Sequence, residues 1–258
     1  MITSAQNRQI KELNALISKR KERDKTGLFT AEGVKLFLEA PRQLIKNVFV
    51  SASFAKENPG LLKDTTYETI EDGLFARVCD TKTPQGILTV LKHPKYTRED
   101  ILGNFAPFIM VLEDLQDPGN VGTIMRTAEG AGASGIILSK GCADMFSPKT
   151  IRSTMGSVFR VPFIYEEDLI ETVNWLSANH VHTYGAHLNG ICAYNEPDYG
   201  AGTAFLIGNE GKGLSVSLAE RCETMISIPM EGQLESLNAA VASAILMYTV
   251  HSKRNKKG

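Results

Sequence analysis

The sequence predicts an α/β protein of two successive units, the second built on a parallel sheet with helices on both faces. Two observations carry this. Short apolar runs bounded by turn residues, at 108–112, 135–138, 181–186, 204–207 and 225–228, alternate with helical segments near 120–131, 149–158, 168–179 and 215–222. Such alternation gives parallel sheets, whose strands are covered on both faces and so read as continuous apolar runs. The other is size: 258 residues, 43% hydrophobic and 22% charged, suffice for two domains with proper cores.

The first unit is justified element by element. Residues 7–18 carry Ile10, Leu13, Leu16 and Ile17 at helical spacing, and a basic run occupies 19–25. A strand at 29–31, a helix over 32–40 ending before Pro41, and a strand at 48–50 follow. A helix over 54–62, a strand at 67–70, a helix over 71–78 and a strand at 86–91 complete a small α/β/α domain, residues 1–92. The polar, proline-containing stretch 93–105 reads as a linker, and residues 106–258 as the second domain, closing in a long helix over 237–252.

No apolar run reaches spanning length and the first residues lack the apolar block of a signal peptide, so the expectation is a cytoplasmic protein without a membrane segment. Cys79, Cys142, Cys192 and Cys222 are far apart and form no C-x-x-C pair, which argues against a disulfide or zinc framework. The net charge of −1 is unevenly spread. Residues 1–35 carry a net +4, and Lys253, Arg254, Lys256 and Lys257 add another +4, which leaves −9 on 36–252. Basic ends on an acidic body fit either a phosphate-binding surface or a solvated helix end with a frayed tail.

Ligands of open α/β sheets bind in loops beyond the carboxyl ends of the strands, and three such loops are unusual here. The first is Asp117-Pro118-Gly119-Asn120 after strand 108–112, a tight turn in which Asn120 is placed to cap the next helix. Val121, Ile124, Met125 and Ala128 form the core face of that helix, and Arg126 sits just off the stripe. Arg126 is open to two readings, a solvated arginine or a group reaching a phosphate or an acidic hydroxyl. The second loop, Gly208-Asn209-Glu210-Gly211-Lys212-Gly213, has glycines that let backbone amides approach a ligand, or that simply make the turn. It is no P-loop, since glycine follows Lys212. The third runs from Pro229 to Ala240, where Ser236 or Asn238 caps the last helix and the other is left for a ligand.

Two decoys are set aside. Gly130-Ala131-Gly132-Ala133-Ser134-Gly135 matches G-x-G-x-x-G but ends a helix and precedes a strand, opposite to the dinucleotide fingerprint. His180 and His182 lack an acidic neighbour in sequence and read as structural, so no metal site is expected.

Taken together the loops resemble the three motifs of the SpoU (TrmH-type) branch of the SPOUT RNA methyltransferases. The motifs are Asp117 to Gly122 with Arg126-Thr127-Ala128, Ile207 to Leu214, and Ile228 to Gly232 with Ser236 to Ala242. The match covers about residues 106–252, and 1–92 resembles, more loosely, the ribosomal-protein-like domain that precedes it in many relatives. The resemblance implies a C-terminal α/β knot, a trefoil-knotted parallel sheet that is an exception to un-knotted connectivity. It also implies a homodimer and S-adenosylmethionine as cofactor. Gly208, Ile228 and Leu237 would contact the cofactor through their backbones, with Asn209, Gly211 and Gly213 beside them. Asn120, Arg126, Glu210, Ser236 and Asn238 would form the polar catalytic group. Ala239-Ala240 departs from the Val-Ser of many relatives.

The activity implied is methylation of an RNA ribose 2′-hydroxyl, ribosomal RNA of the large subunit being favoured over transfer RNA. Arg126 is expected to stabilise developing negative charge, with Glu210 orienting Arg126 or Asn120. The alternatives are a non-catalytic RNA-binding or ribosome-assembly factor and a small-molecule methyltransferase.

Overall fold

A computed structural model describes residues 1–103, 105–233 and 236–255, and it divides into two compact units. Asn104 in the linker stretch, Leu234 and Glu235 in the third loop, and Lys256 and Lys257 in the basic tail lie outside the described residues.

The first unit holds α1 (Arg8–Ser18), α2 (Arg20–Thr26), β1 (Leu28–Glu32), α3 (Val34–Glu39), β2 (Ile45–Ser51), α4 (Ala52–Glu57), β3 (Glu68–Ile70), α5 (Asp72–Val78) and β4 (Ile87–Lys92). Its sheet runs β1-β4-β2-β3, antiparallel except for the β2–β3 pair. Ile10, Leu13 and Leu16 of α1 pack with Phe49, Leu74 and Phe75 in one core, so the helical spacing of 7–18 marks the buried stripe. The helix expected over 54–62 is shorter and starts earlier, because the Ser51 hydroxyl accepts from Phe54 N at α4's N-cap.

The second unit begins inside the stretch read as a linker. There α6 (Arg98–Leu102) is nucleated by a capping box in which Thr97 and Asp100 satisfy each other's backbone N–H. Next come β5 (Phe108–Leu112), α7 (Pro118–Ala131) and β6 (Gly135–Ser139). Residues Asp144–Phe159, carrying α8 (Pro148–Thr154) and a 3₁₀ turn, belong to the first compact unit although the sequence reading kept them in the second. In that unit Asp144 forms an ion pair with Arg23 at 2.7 Å, both side chains under a tenth exposed. Arg23 also donates to the carbonyls of Leu16 and Ile17, and Phe146 stacks on His93. One of the basic residues counted toward a phosphate surface is thus consumed inside the fold.

The chain resumes the second unit with β7 (Phe163–Glu166), α9 (Leu169–Ala178), β8 (Val181–Ala186), β9 (Cys192–Ala193), β10 (Gly202–Ile207), α10 (Val216–Ala219), β11 (Thr224–Ser227) and α11 (Ala239–Asn255). The described strands form a seven-stranded sheet, β7-β6-β5-β10-β8-β11-β9, parallel at every pairing. β7 and β9 have no counterpart in the sequence reading: both are partly exposed edge strands without a long apolar run. β5 and β10 lie centrally and are buried throughout, as their continuous apolar runs require.

The basic tail is also part of the fold. Lys253 Nζ donates to the carbonyls of Asn195, Glu196 and Pro197. The Arg254 guanidinium donates to those of Ala106, Pro107, Tyr199 and Ala201. These two charges tie α11 to neighbouring loops and cannot at the same time serve a phosphate. Among the described residues no helix is long and apolar enough to cross a membrane.

Candidate active site

The carboxyl ends of β5, β10 and β11 bring the three loops together. α7 begins at Asp117, whose Oδ1 accepts from Asn120 N at 2.9 Å, with Pro118 in the first turn. The cap is therefore Asp117 and not Asn120 as the sequence suggested. A proline at the first helical position leaves the cap one residue before it. Asn120, freed from capping, turns its side chain to the other loops.

Its amide donates to Glu210 Oε1 at 3.1 Å, and its Oδ1 accepts from Asn238 Nδ2 at 3.0 Å. The Glu210 carboxylate also accepts from Gln116 N and Asp117 N, at 3.1 and 3.0 Å. Burial pushes the Glu210 carboxyl up, but these backbone donors and the Asn120 amide outweigh it and hold the group below its ordinary value. Glu210 is thus an ionised clamp on the 116–120 turn and a poor proton acceptor. Of the two partners expected for it, the structure pairs it with Asn120.

The third loop closes the chain of contacts. Asn238 Oδ1 accepts from Ala240 N at 2.9 Å and Val241 N at 3.3 Å, so Asn238 caps α11. Ser236 is exposed and left over, which resolves the ambiguity between the two. Arg126 is exposed in the third turn of α7, with no hydrogen bond or ion pair among the described residues.

The glycine loop is cross-braced by hydrogen bonds. Asn209 and Gly213 exchange backbone hydrogen bonds, Asn209 Oδ1 accepts from Gly211 N and Lys212 N, and its amide donates to Asp114 O. A Cβ on Gly208 would fall 2.0 Å from Gly213 C and Leu214 N, so only glycine fits where the loop folds back on the strand end. Gly213 itself takes a φ of 69°.

Beside this loop is a cavity of about 290 Å³, lined by Gly208 to Gly213, Ile228, Ser236, Leu237, Ala239 and the ends of β8 and β11. Gly208, Ile228 and Leu237 all line it. A cavity of this size with largely aliphatic walls beside a glycine turn suits a small organic ligand. Ala239 and Ala240, the departure from Val-Ser, are buried at the start of α11, and Ala239 contributes to the wall. The cavity thus collects every residue expected to contact the cofactor, together with Glu210 and Ser236, while Asn120 and Asn238 adjoin it through Glu210. Arg126 is not part of its wall.

Three residues escaped the sequence reading. Glu113 accepts from Ser215 N at 2.7 Å, tying the first loop to the second. Asp114, at φ 52°, pairs with the Ser139 hydroxyl. His187 lines the cavity. The partners of Glu113 and Asp114 lie far along the chain, so no local pattern marks them. His182 does have an acid, Glu223 at 2.7 Å, supplied across the sheet. Among the described residues no group of His, Cys, Asp and Glu is placed to hold a metal.

Known proteins resemble this chain along both units. The SpoU rRNA methylase family profile matches residues 107–248, and a profile for an MRM3-like substrate-binding domain matches residues 7–89. A 23S rRNA (guanosine(2553)-2′-O)-methyltransferase, RlmP, of Bacillus subtilis (strain 168) is 37% identical over 249 residues, 96% of this chain and 97% of the relative. The SpoU methyltransferase AviRb from Streptomyces viridochromogenes, solved in complex with AdoMet, superposes with a TM-score of 0.88 at 27% identity, covering 97% of this chain and 99% of that one. An AdoMet-bound rRNA methyltransferase from Sinorhizobium meliloti gives a TM-score of 0.87 at 31% identity, covering 97% of each chain. With its C-terminal unit matched over all three loops and a relative aligned along nearly its whole length, this chain belongs to the SpoU rRNA methylase family.

Proposed function

We propose that the protein is an S-adenosylmethionine-dependent methyltransferase acting on a ribose 2′-hydroxyl of large-subunit ribosomal RNA. The observation that carries this is the Glu210–Asn120–Asn238 network set against the cavity of Gly208, Ile228 and Leu237. The relative's name, a 23S rRNA 2′-O-methyltransferase, supports the substrate.

The cofactor would lie against Gly208, Ile228 and Leu237, with the Asn209, Gly211 and Gly213 turn beside it, and would supply a methyl group activated by a sulfonium. The chain's part is to position the 2′-hydroxyl and help its proton leave. Arg126, exposed and unpaired among the described residues, stabilises negative charge developing on the 2′-oxygen or holds an adjacent phosphate. An arginine guanidinium stays protonated in proteins and is no base, so water or phosphate takes the proton. Glu210 and Asn120 fix the turn from which α7 projects Arg126, Asn238 locks that turn to α11, and Ser236 is free to hold the ribose.

Residues 1–92 form the RNA-binding domain in this reading, 93–105 the connection and 106–258 the catalytic domain. The exposed Lys19, Lys21 and Lys25 remain available to phosphate, whereas Arg20 pairs with Asp24 and Arg23, Lys253 and Arg254 are engaged elsewhere. The working form is a cytoplasmic homodimer. Its support is the pair Val241 and Tyr248, seven residues apart on α11 and each about half exposed (49%). The trefoil knot is likewise part of the proposal, supported by the position of β10 between β5 and β8 and by the packing of α11 on α7.

The test is methyl transfer from S-adenosylmethionine to large-subunit and transfer RNA, with the product nucleoside identified by mass spectrometry. A 2′-O-methylnucleoside in ribosomal RNA supports the proposal. Cofactor binding without transfer favours a non-catalytic RNA-binding factor.

A further inference from the structure

Most polar side chains on the cavity wall are spoken for or sit loosely. Asn209 spends its amide on Asp114 O, Glu210 is occupied by the 116–120 turn, and Lys212 and Ser236 are exposed on the loops. His187, the first residue beyond β8, is exposed as well but is built into a tight turn. Its backbone N donates to Ile226 O at 2.9 Å and its carbonyl accepts from Gly190 N at 3.1 Å. The turn this makes is tight: a Cβ on Gly190 would sit 2.3 Å from Ile226 C. Within it, Asn189 N donates to His187 Nδ1 at 3.1 Å.

That last bond fixes the chemistry of the ring. A backbone N–H can only donate, so Nδ1 must keep its lone pair, and the neutral imidazole carries its proton on Nε2. Nε2 has no partner among the described residues. The same cavity wall that holds the glycine loop therefore carries an imidazole donor with a fixed tautomer.

We propose that His187 contacts the cofactor, its Nε2–H donating a hydrogen bond to an oxygen of bound S-adenosylmethionine. This rests on the cofactor reading above. Two oxygen sources qualify, a ribose hydroxyl and the carboxylate of the amino-acid arm. Because the ring is held by Asn189, little side-chain freedom is lost on binding, so the bond contributes most of its strength to affinity.

Calorimetry on the full chain tests this with two ligands, S-adenosylmethionine and 5′-methylthioadenosine, which lacks the carboxylate. Wild type, His187→Phe and His187→Gln are compared, with thermal unfolding to verify that each is folded. Phenylalanine keeps the ring volume without a donor, and glutamine returns an N–H at similar reach. The expected result is an S-adenosylmethionine affinity weakened about tenfold by His187→Phe and restored to within about threefold of wild type by His187→Gln. A loss seen with both ligands assigns the ribose, and a loss seen with S-adenosylmethionine alone assigns the carboxylate. Equal affinities of wild type and His187→Phe, or no recovery in a folded His187→Gln, overturn the inference alone. Absence of wild-type binding overturns the cofactor reading as well.

Discussion

Asn238 and Asn120, 118 residues apart in sequence, are joined by a 3.0 Å hydrogen bond from the amide of one to the carbonyl of the other. Asn238 uses both ends of its side chain, since its oxygen caps α11 through Ala240 N and Val241 N. The helix N–H groups demand that oxygen, so the amide nitrogen must face Asn120. Replacing Asn238 by alanine removes a cap and a tertiary bond, at a cost of about 2 kcal/mol by denaturant unfolding. Asn238→Asp is expected to keep the cap and lose the link. A double-mutant cycle with Asn120→Ala measures the link itself, expected near 1 kcal/mol. Strictly additive effects would mean that the two loops are not coupled.

The depressed titration of Glu210 sets a direction for stability with pH. A carboxyl whose folded pKa lies below its unfolded value stabilises the fold fully above that unfolded value, here 4.5. The contribution is lost as pH falls through the lower folded value. Glu210 is largely open to solvent, so the effect is discounted to about 1 kcal/mol. Urea midpoints of wild type and Glu210→Gln are expected to differ at pH 6–7 and to converge as the pH falls through the lowered folded value. A gap that widens in acid would contradict the clamp.

Arg126 separates chemistry from binding. It lies outside the cavity wall, so Arg126→Ala is expected to leave S-adenosylmethionine affinity within about twofold while single-turnover methylation falls about 10² to 10³-fold. Methylation at the wild-type rate would remove Arg126 from the mechanism.

Lys253 and Arg254, which the sequence leaves open between phosphate ligands and a frayed tail, act in the structure as ties. Arg254→Ala strands the carbonyls of Ala106, Pro107, Tyr199 and Ala201, and a loss of about 2–3 kcal/mol in stability is expected. The salt dependence of RNA affinity should not change. A shallower salt slope with unaltered stability would return Arg254 to the RNA surface.

Gly208→Ala is expected to abolish cofactor binding in a protein that still folds. The added Cβ meets backbone at 2.0 Å, where no side chain can yield. Retained affinity would show that the loop has room to shift.

Much of this was legible in the sequence, and the misses have definite causes. The central strands at 108–112 and 204–207 were plain because strands buried on both faces leave uninterrupted apolar runs. β7 and β9 were not, because edge strands are short and half-exposed and leave no such run. The three loops stood out through their glycines and asparagines; the second and third line one cavity, and the first joins them through Glu210 and Asn238. What the sequence misassigned was division of labour within each loop. Asp117 and Asn120 are both good caps, and only the position of Pro118 decides between them. Charge counting failed at Arg23, Lys253 and Arg254 for one reason. The groups that satisfy them, Asp144 and the carbonyls of 195–201, lie elsewhere along the chain and are invisible to local pattern.

The most direct measurement is transfer of a labelled methyl group from S-adenosylmethionine to unmodified large-subunit ribosomal RNA, followed by nuclease digestion and mass spectrometry of the nucleosides. The expected result is a single 2′-O-methylated nucleoside formed by wild type and lost with Arg126→Ala. Label on a base, or cofactor binding with no transfer to any ribose, would contradict ribose methylation.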